Sequence, residues 1–258
     1  MERFDLWENT PGLCREVPGL TYYPAKNKTS DAAIIILPGG GYACRADHEG
    51  QGYAEYLNEH GFDAFVCDYR VSPHRFPLPL LDVRRAVRYV RYYADKFGIN
   101  KDKICVMGSS AGGGLTSMVS TYMEKLEYEG VDAIDDEGFV PNGQILCYGY
   151  ICHATKGLLL DWANRELMGE DWKKIAEAIS AEQNVTPHTP KAFIWNTSED
   201  DCVDMRHALT YATQLRQNGV PVEMHILPYG GHGLGIPKDN PHVAQWAELL
   251  VNWLRLEF

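Results

Sequence analysis

Residues Ala32-Ala33-Ile34-Ile35-Ile36-Leu37 form the most continuous apolar, β-branched run in the chain. A strand with one wet face would alternate apolar and polar residues. A run without alternation has to be covered on both faces, which is the mark of a parallel strand inside a sheet. Further apolar runs lie near 62–67, 103–107, 143–148, 191–195 and 222–227, and Leu20-Thr21-Tyr22-Tyr23 reads as an antiparallel edge strand before them. Between them, helical patterns fall near 48–60, 81–97, 111–126, 204–218 and 242–256. This alternation predicts an α/β fold with a mostly parallel sheet and helices on both faces. In the second helix Val83, Ala86, Val87 and Val90 make the apolar stripe, Asp82 reads as its N-cap, and the intervening arginines read as a solvated face.

The segment from about 150 to 188 breaks the rhythm. Leu158-Leu159-Leu160-Asp161-Trp162 and Trp172-Lys173-Lys174-Ile175-Ala176 predict one or two short helices, a small cap insertion. No repeat or interdomain linker interrupts the 258 residues, so a single domain over 1–258 is expected. A chain of this length buries about 75% of its unfolded surface, enough for a core without staples.

Three strand ends carry residues that packing does not ask for. Ile104-Cys105-Val106-Met107 runs into Gly108-Ser109-Ser110-Ala111-Gly112, a G-x-S-x-G pentad between a strand and a helix. Such an elbow exposes the serine hydroxyl in front of a helix N-terminus. Triads built on it run in chain order serine, acid, histidine. Lys191-Ala192-Phe193-Ile194-Trp195 leads into Glu199, Asp200 and Asp201, three acids that compete for the second place. An acidic turn capping the helix near Asp204 would account for some of them, but not for their place at a strand end. Val222-Glu223-Met224-His225-Ile226-Leu227 leads into Pro228-Tyr229-Gly230-Gly231-His232-Gly233. The glycines beside His232 project its imidazole from a tight loop, whereas His225 sits within strand alternation and reads as structural. Most of the other histidines are expected in solvent or in turns.

The first buried strand breaks into Pro38-Gly39-Gly40-Gly41-Tyr42. Neither phosphate-binding glycine motif is present. The loop is better read as presenting backbone N–H groups to a developing alkoxide: Gly40 and Gly41, with Ala111 behind the nucleophile.

Pro38-Gly39-Gly40-Gly41-Tyr42, Asp68-Tyr69-Arg70-Val71, Gly108-Ser109-Ser110-Ala111-Gly112-Gly113 and Gly231-His232-Gly233 together resemble the α/β-hydrolase esterases, the group of acetyl esterases, xylan or carbohydrate esterases and lipase/esterase-like proteins. The resemblance runs from about residue 20 to the C-terminus. It implies the α/β-hydrolase fold and serine-dependent hydrolysis of short acyl esters, often acetyl groups on sugars, without metal or organic cofactor. Asp200-Asp201-Cys202-Val203 is similar to the Asp-Asp-x-Val run of esterases and prolyl peptidases, whose first Asp is the triad acid; this favours Asp200 over Asp201. The resemblance thus implies Ser110, Asp200 and His232 as the triad. One departure is that many relatives carry Gly-Gly-His-Leu where this chain has Gly113-Gly114-Leu115, which is expected to alter the base of the pocket. The rival readings are an arylformamidase, a small serine peptidase, and a non-catalytic ligand-binding protein on the same fold. Tyr42, His153 and Trp162 are further candidates without an assigned role.

Charge and cysteines bound the setting. Lys plus Arg number 24 against 35 Asp plus Glu, a net charge of −11, which disfavours nucleic acid and anionic membranes but is neutral toward an uncharged ester. The seven cysteines are Cys14, Cys44, Cys67, Cys105, Cys147, Cys152 and Cys202, an odd number with several in apolar strand patterns. They point to a reducing, cytoplasmic compartment and form no zinc-like C-x-x-C pairs. The N-terminus carries no apolar signal core, and association with further copies of the chain stays open.

Overall fold

The computed structural model describes all residues, 1–258. Eight strands form one sheet: β1 (Glu2–Asp5), β2 (Gly19–Tyr23), β3 (Ala33–Leu37), β4 (Asp63–Cys67), β5 (Ile104–Ser109), β6 (Gly143–Cys147), β7 (Lys191–Thr197) and β8 (Val222–Leu227). Their order across the sheet is β1-β2-β4-β3-β5-β6-β7-β8. The pairs from β4 to β8 are parallel, while β1–β2 and β2–β4 are antiparallel. Eight helices complete the chain: α1 (Asp47–Glu59), α2 (Leu78–Tyr92), α3 (Ala94–Phe97), α4 (Ala111–Thr121), α5 (Asp161–Met168), α6 (Lys173–Ile179), α7 (Arg206–Gln217) and α8 (Pro241–Glu257).

Strand periodicity sorts the core. Ala33, Ile35 and Leu37 of β3 face α2 and α4, while Ile34 and Ile36 face α1 and α8. Both faces are sealed, which is why this strand reads as an unbroken apolar run. The chain passes from β3 to β4 on one side and then back to β5 on the other. The order therefore reverses between β3 and β5, and the C-terminal ends flanking such a reversal are where ligands bind in sheets of this kind.

Three readings need correction. β1, a short and mostly exposed strand with no apolar pattern, pairs outside β2, so Leu20-Thr21-Tyr22-Tyr23 is antiparallel as expected but is not the edge. The second helix starts at Leu78, with Pro79 in a first turn that has no need of its N–H. Asp82 is therefore no N-cap: its fully buried carboxylate grips Arg70 through Oδ1···Nη2 at 2.7 Å and Oδ2···Nε at 2.9 Å. The arginines of α2 are not a solvated face. Arg84, Arg85 and Arg88 are buried, because the acidic segment 124–137 folds across them: Glu129 pairs with Arg84 and Arg88, and Asp132 and Asp135 with Arg85. Buried cations are tolerated when paired in this way. Of the other histidines, His48, His188 and His242 are exposed and His60 lies in a turn, as expected for most of them, while His74, His153 and His207 are buried.

Candidate active site

The serine elbow is a strained corner that its neighbours hold in place. Ser110 has φ +50° and ψ −116°, outside the usual regions for a side-chain-bearing residue. Its N–H donates to Cys147 O at 3.0 Å, and its carbonyl accepts from Gly114 N at 3.0 Å and Tyr150 N at 2.9 Å. The two outer glycines of the pentad are required by close approach. A Cβ on Gly108 would stand 2.1 Å from Gly112 O, and one on Gly112 would stand 2.0 Å from Leu37 O.

The three strand ends meet here. His232 Nε2 lies 2.8 Å from Ser110 Oγ, and His232 Nδ1 lies 2.8 Å from Asp200 Oδ2. The other oxygen of Asp200 accepts from Cys202 N at 3.0 Å and Val203 N at 2.8 Å. Because a carboxylate can only accept, Nδ1 carries the proton and Nε2 presents its lone pair to the serine hydroxyl. Asp201 is exposed, and Glu199 points elsewhere, accepting from Gly230 N at 3.0 Å. Of the three competing acids, the structure brings only Asp200 to the imidazole. His225 lies on β8, bonded to Glu223 at 2.8 Å, apart from this group.

The glycine loop is turned so that the carbonyls of Gly39 and Gly40 are occupied and two N–H groups are free. Gly39 O accepts from Ala46 N at 3.0 Å, and Gly40 O accepts from Ala43 N at 3.0 Å and Cys44 N at 3.1 Å. The N–H groups of Gly40 and Gly41 donate to no protein acceptor, and Ala111 N–H heads the first turn of α4, where no intrahelical acceptor exists. A built Cβ on Gly39 would be 3.0 Å from Ser110 Cβ, so loop and elbow are in contact.

Sequence reasoning missed what ties these loops together. The buried Glu49, in the first turn of α1, accepts from Gly39 N at 2.7 Å and from Tyr148 Oη at 2.6 Å. Tyr148, at φ +39° just past β6, also accepts from Gly235 N at 3.0 Å in the histidine loop. Its ring stands edge-on to His232 at 5.1 Å and to Trp195 at 5.0 Å. Tyr53 Oη completes the chain, 3.1 Å from Tyr148 Oη and 3.0 Å from Ser109 Oγ. Burial, and next the Glu49 charge, push the Tyr148 hydroxyl well above its ordinary pKa, so it stays a neutral donor. An acid in a helix first turn is ordinary, and nothing in the pattern marks Glu49 as lying under the loop.

The departure at Gly114 has a physical cause. A Cβ there would meet Tyr42 Oη at 2.3 Å, Tyr150 O at 2.5 Å and His153 Nε2 at 3.5 Å. Side chains from two other segments fill the volume, so this position has no room for a histidine.

Residues 21–215 match the BD-FAE family. A crystal structure of an acetyl ester-xyloside bifunctional hydrolase from Caldicellulosiruptor lactoaceticus superimposes with a TM-score of 0.92 at 35% identity, covering 99% of this chain and 96% of that one. The acetylxylan esterase of Xylanibacter ruminicola is 31% identical over 232 residues, 88% of this chain and 46% of its own length. Endo-1,4-beta-xylanase B of Butyrivibrio fibrisolvens is 31% identical over 232 residues, 86% of this chain and 35% of its own length. The chain thus spans between a third and a half of these two curated relatives. With its mostly parallel eight-stranded sheet covered on both faces, the chain has the α/β-hydrolase fold and belongs to the BD-FAE family.

Proposed function

We propose that this chain is a serine carboxylesterase that removes short acyl groups, acetyl above all, from sugars or oligosaccharides. The observation that carries the reading is the continuous relay from Ser110 Oγ through His232 to Asp200, with both links at 2.8 Å. Ser110 Oγ attacks the ester carbonyl as its proton passes to His232 Nε2. The carbonyl oxygen becomes an alkoxide and takes hydrogen bonds from Gly40, Gly41 and Ala111 N–H. Asp200 keeps the imidazole in its tautomer and stabilises the imidazolium. The tetrahedral intermediate collapses, the alcohol leaves with the proton from His232, and acyl-Ser110 remains. Water, activated by His232, then releases the acid and restores the serine. The names of the relatives, an acetyl ester-xyloside hydrolase and an acetylxylan esterase, support acetylated sugars as substrates over the formamide and peptide alternatives.

Residues 1–258 act as one domain in this reading, with 150–188 as a cap beside the triad. All seven cysteines are free, four of them buried, and this odd number of unpaired thiols supports a reducing cytoplasmic setting. No helix is long and apolar enough to cross a membrane.

The test is hydrolysis of p-nitrophenyl esters from acetate to octanoate by wild type beside Ser110→Ala. Activity on the short esters that falls by at least about 10⁴-fold in the variant is the expected outcome. A fully active Ser110→Ala ends the proposal.

A further inference from the structure

Trp162 is the large aromatic on α5 that the core does not absorb. The apolar stripe of this helix is Ala163, Leu167 and Met168, all buried, whereas Trp162 is 51% exposed. Trp172, ten residues on, is 3% exposed, so the insertion does not leave tryptophans outside by default. The exposed indole is not adrift. A Cβ built on Gly41 would stand 2.5 Å from its Cζ3 and 2.8 Å from its Cη2, so the six-membered ring rests on the backbone of a glycine assigned above to the oxyanion site.

The helix that carries it is clamped to the serine elbow. Asn164 Oδ1 accepts from Tyr150 Oη at 3.1 Å and from His153 Nδ1 at 2.9 Å, and Asn164 Nδ2 donates to His153 O at 3.1 Å. Leu160 N, at the start of α5, donates to Tyr150 Oη at 2.9 Å. Tyr150 N in turn holds Ser110 O at 2.9 Å. Asn164 and His153 are fully buried. The part of α5 that carries Trp162 is therefore tied to the nucleophile elbow by a short chain of hydrogen bonds, and the indole itself is braced by its contact with Gly41.

The space behind the elbow is closed by Tyr42, Tyr150 and His153 around Gly114. A bulky alcohol has no room there, whereas the exposed ring of Trp162 beside Gly41 leaves space on the solvent side. We infer that Trp162 forms an alcohol-side subsite, a platform on which the C–H face of a neutral pyranose stacks while the carbonyl carbon of its acyl group faces Ser110 Oγ. This rests on the esterase reading and adds the residue that recognises the sugar. An indole offers a broad apolar face at low entropy cost, suited to a ring whose hydroxyls point outward to water.

Two measurements test it. Trp162→Ala is expected to lower kcat/KM toward an acetylated xylo-oligosaccharide about ten- to hundredfold, mainly through KM, the size typical of removing a stacking partner. Its activity toward ethyl acetate, which has no ring, is expected to stay within about twofold, and Trp162→Phe to keep most of the sugar activity. Equal losses on both substrates would make the ring a buttress of Gly41, and no loss on either would make it idle; both overturn the platform. The second measurement needs no turnover: calorimetric titration of Ser110→Ala with unacetylated xylo-oligosaccharide, with and without Trp162→Ala. Binding that the second substitution abolishes supports the platform even if wild type fails to deacetylate sugars, a failure that would count against the hydrolytic reading alone. Binding that survives the substitution, or none to either protein, overturns the platform even if ester hydrolysis stands.

Discussion

Two adjacent aspartates differ in what the backbone does with them. Asp200 has one oxygen fixed by the N–H groups of Cys202 and Val203 and the other on His232, while Asp201 is exposed. Asp200→Asn is expected to lower kcat by about 10⁴-fold by favouring the wrong imidazole tautomer. Asp201→Asn should stay within a fewfold of wild type, and steady-state kinetics on p-nitrophenyl acetate reads both. Glu49 acts one step back, through Gly39 and Tyr148. Glu49→Ala frees the glycine loop and leaves Gly39 N–H unpaired in the interior. A loss of about 10²-fold in kcat is expected, comparable to losing one oxyanion donor. Glu49→Gln keeps an acceptor for that N–H and should recover most of the rate. Equal activities of the two variants would remove the positioning role from Glu49.

The elements behind the site depend on neutral buried imidazoles. Burial lowers His153 to about 4; burial and then the neighbouring His153 lower His207 to about 4. Each is depressed below its ordinary value of 6.5, so between these limits the unfolded chain binds protons that the native state refuses. Stability is full above about pH 6.5 and falls as pH drops toward 4, by on the order of 3 kcal/mol per histidine. Thermal melts over that window should show the Tm falling, and His153→Asn should flatten the slope. A Tm as high at pH 4 as at pH 7 would contradict it. These imidazoles hold the segment 150–188: His153 bonds Asn164 of α5, and His207 of α7 accepts from Cys152 N at 3.0 Å.

At the scale of the molecule, the ends of one sheet carry Ser110, Asp200 and His232, and the segment 150–188 is joined to that sheet by buried hydrogen bonds and by Leu167, Met168, Trp172 and Ile179 in the core. This segment is therefore expected to unfold with the sheet. Urea transitions followed by tryptophan fluorescence and by far-ultraviolet circular dichroism should coincide. An early fluorescence step would make the insertion a separate unit. The acid and the histidine stand 32 residues apart and the histidine and serine 122 apart, yet each pair meets at 2.8 Å. The parallel register accounts for this, because it brings the C-terminal ends of β5, β7 and β8 to the same edge.

The amino-acid sequence by itself determined the layers and which residues stand at the strand ends. Apolar periodicity is local, and so is the pattern of a strand breaking into Gly108-Ser109-Ser110-Ala111-Gly112, into Asp200, or into His232. What sits across space was decided only by the tertiary structure. The arginines of α2 look solvated until an acidic segment some forty residues on covers them, and Glu49 looks like a helix first-turn acid until Gly39 and Tyr148 close over it. The choice of Asp200 over its neighbours likewise became geometric when the chain turned its carboxylate inward. Such pairings carry no periodic signal, because a buried charge selects its partner by distance in the fold and not by spacing along the chain.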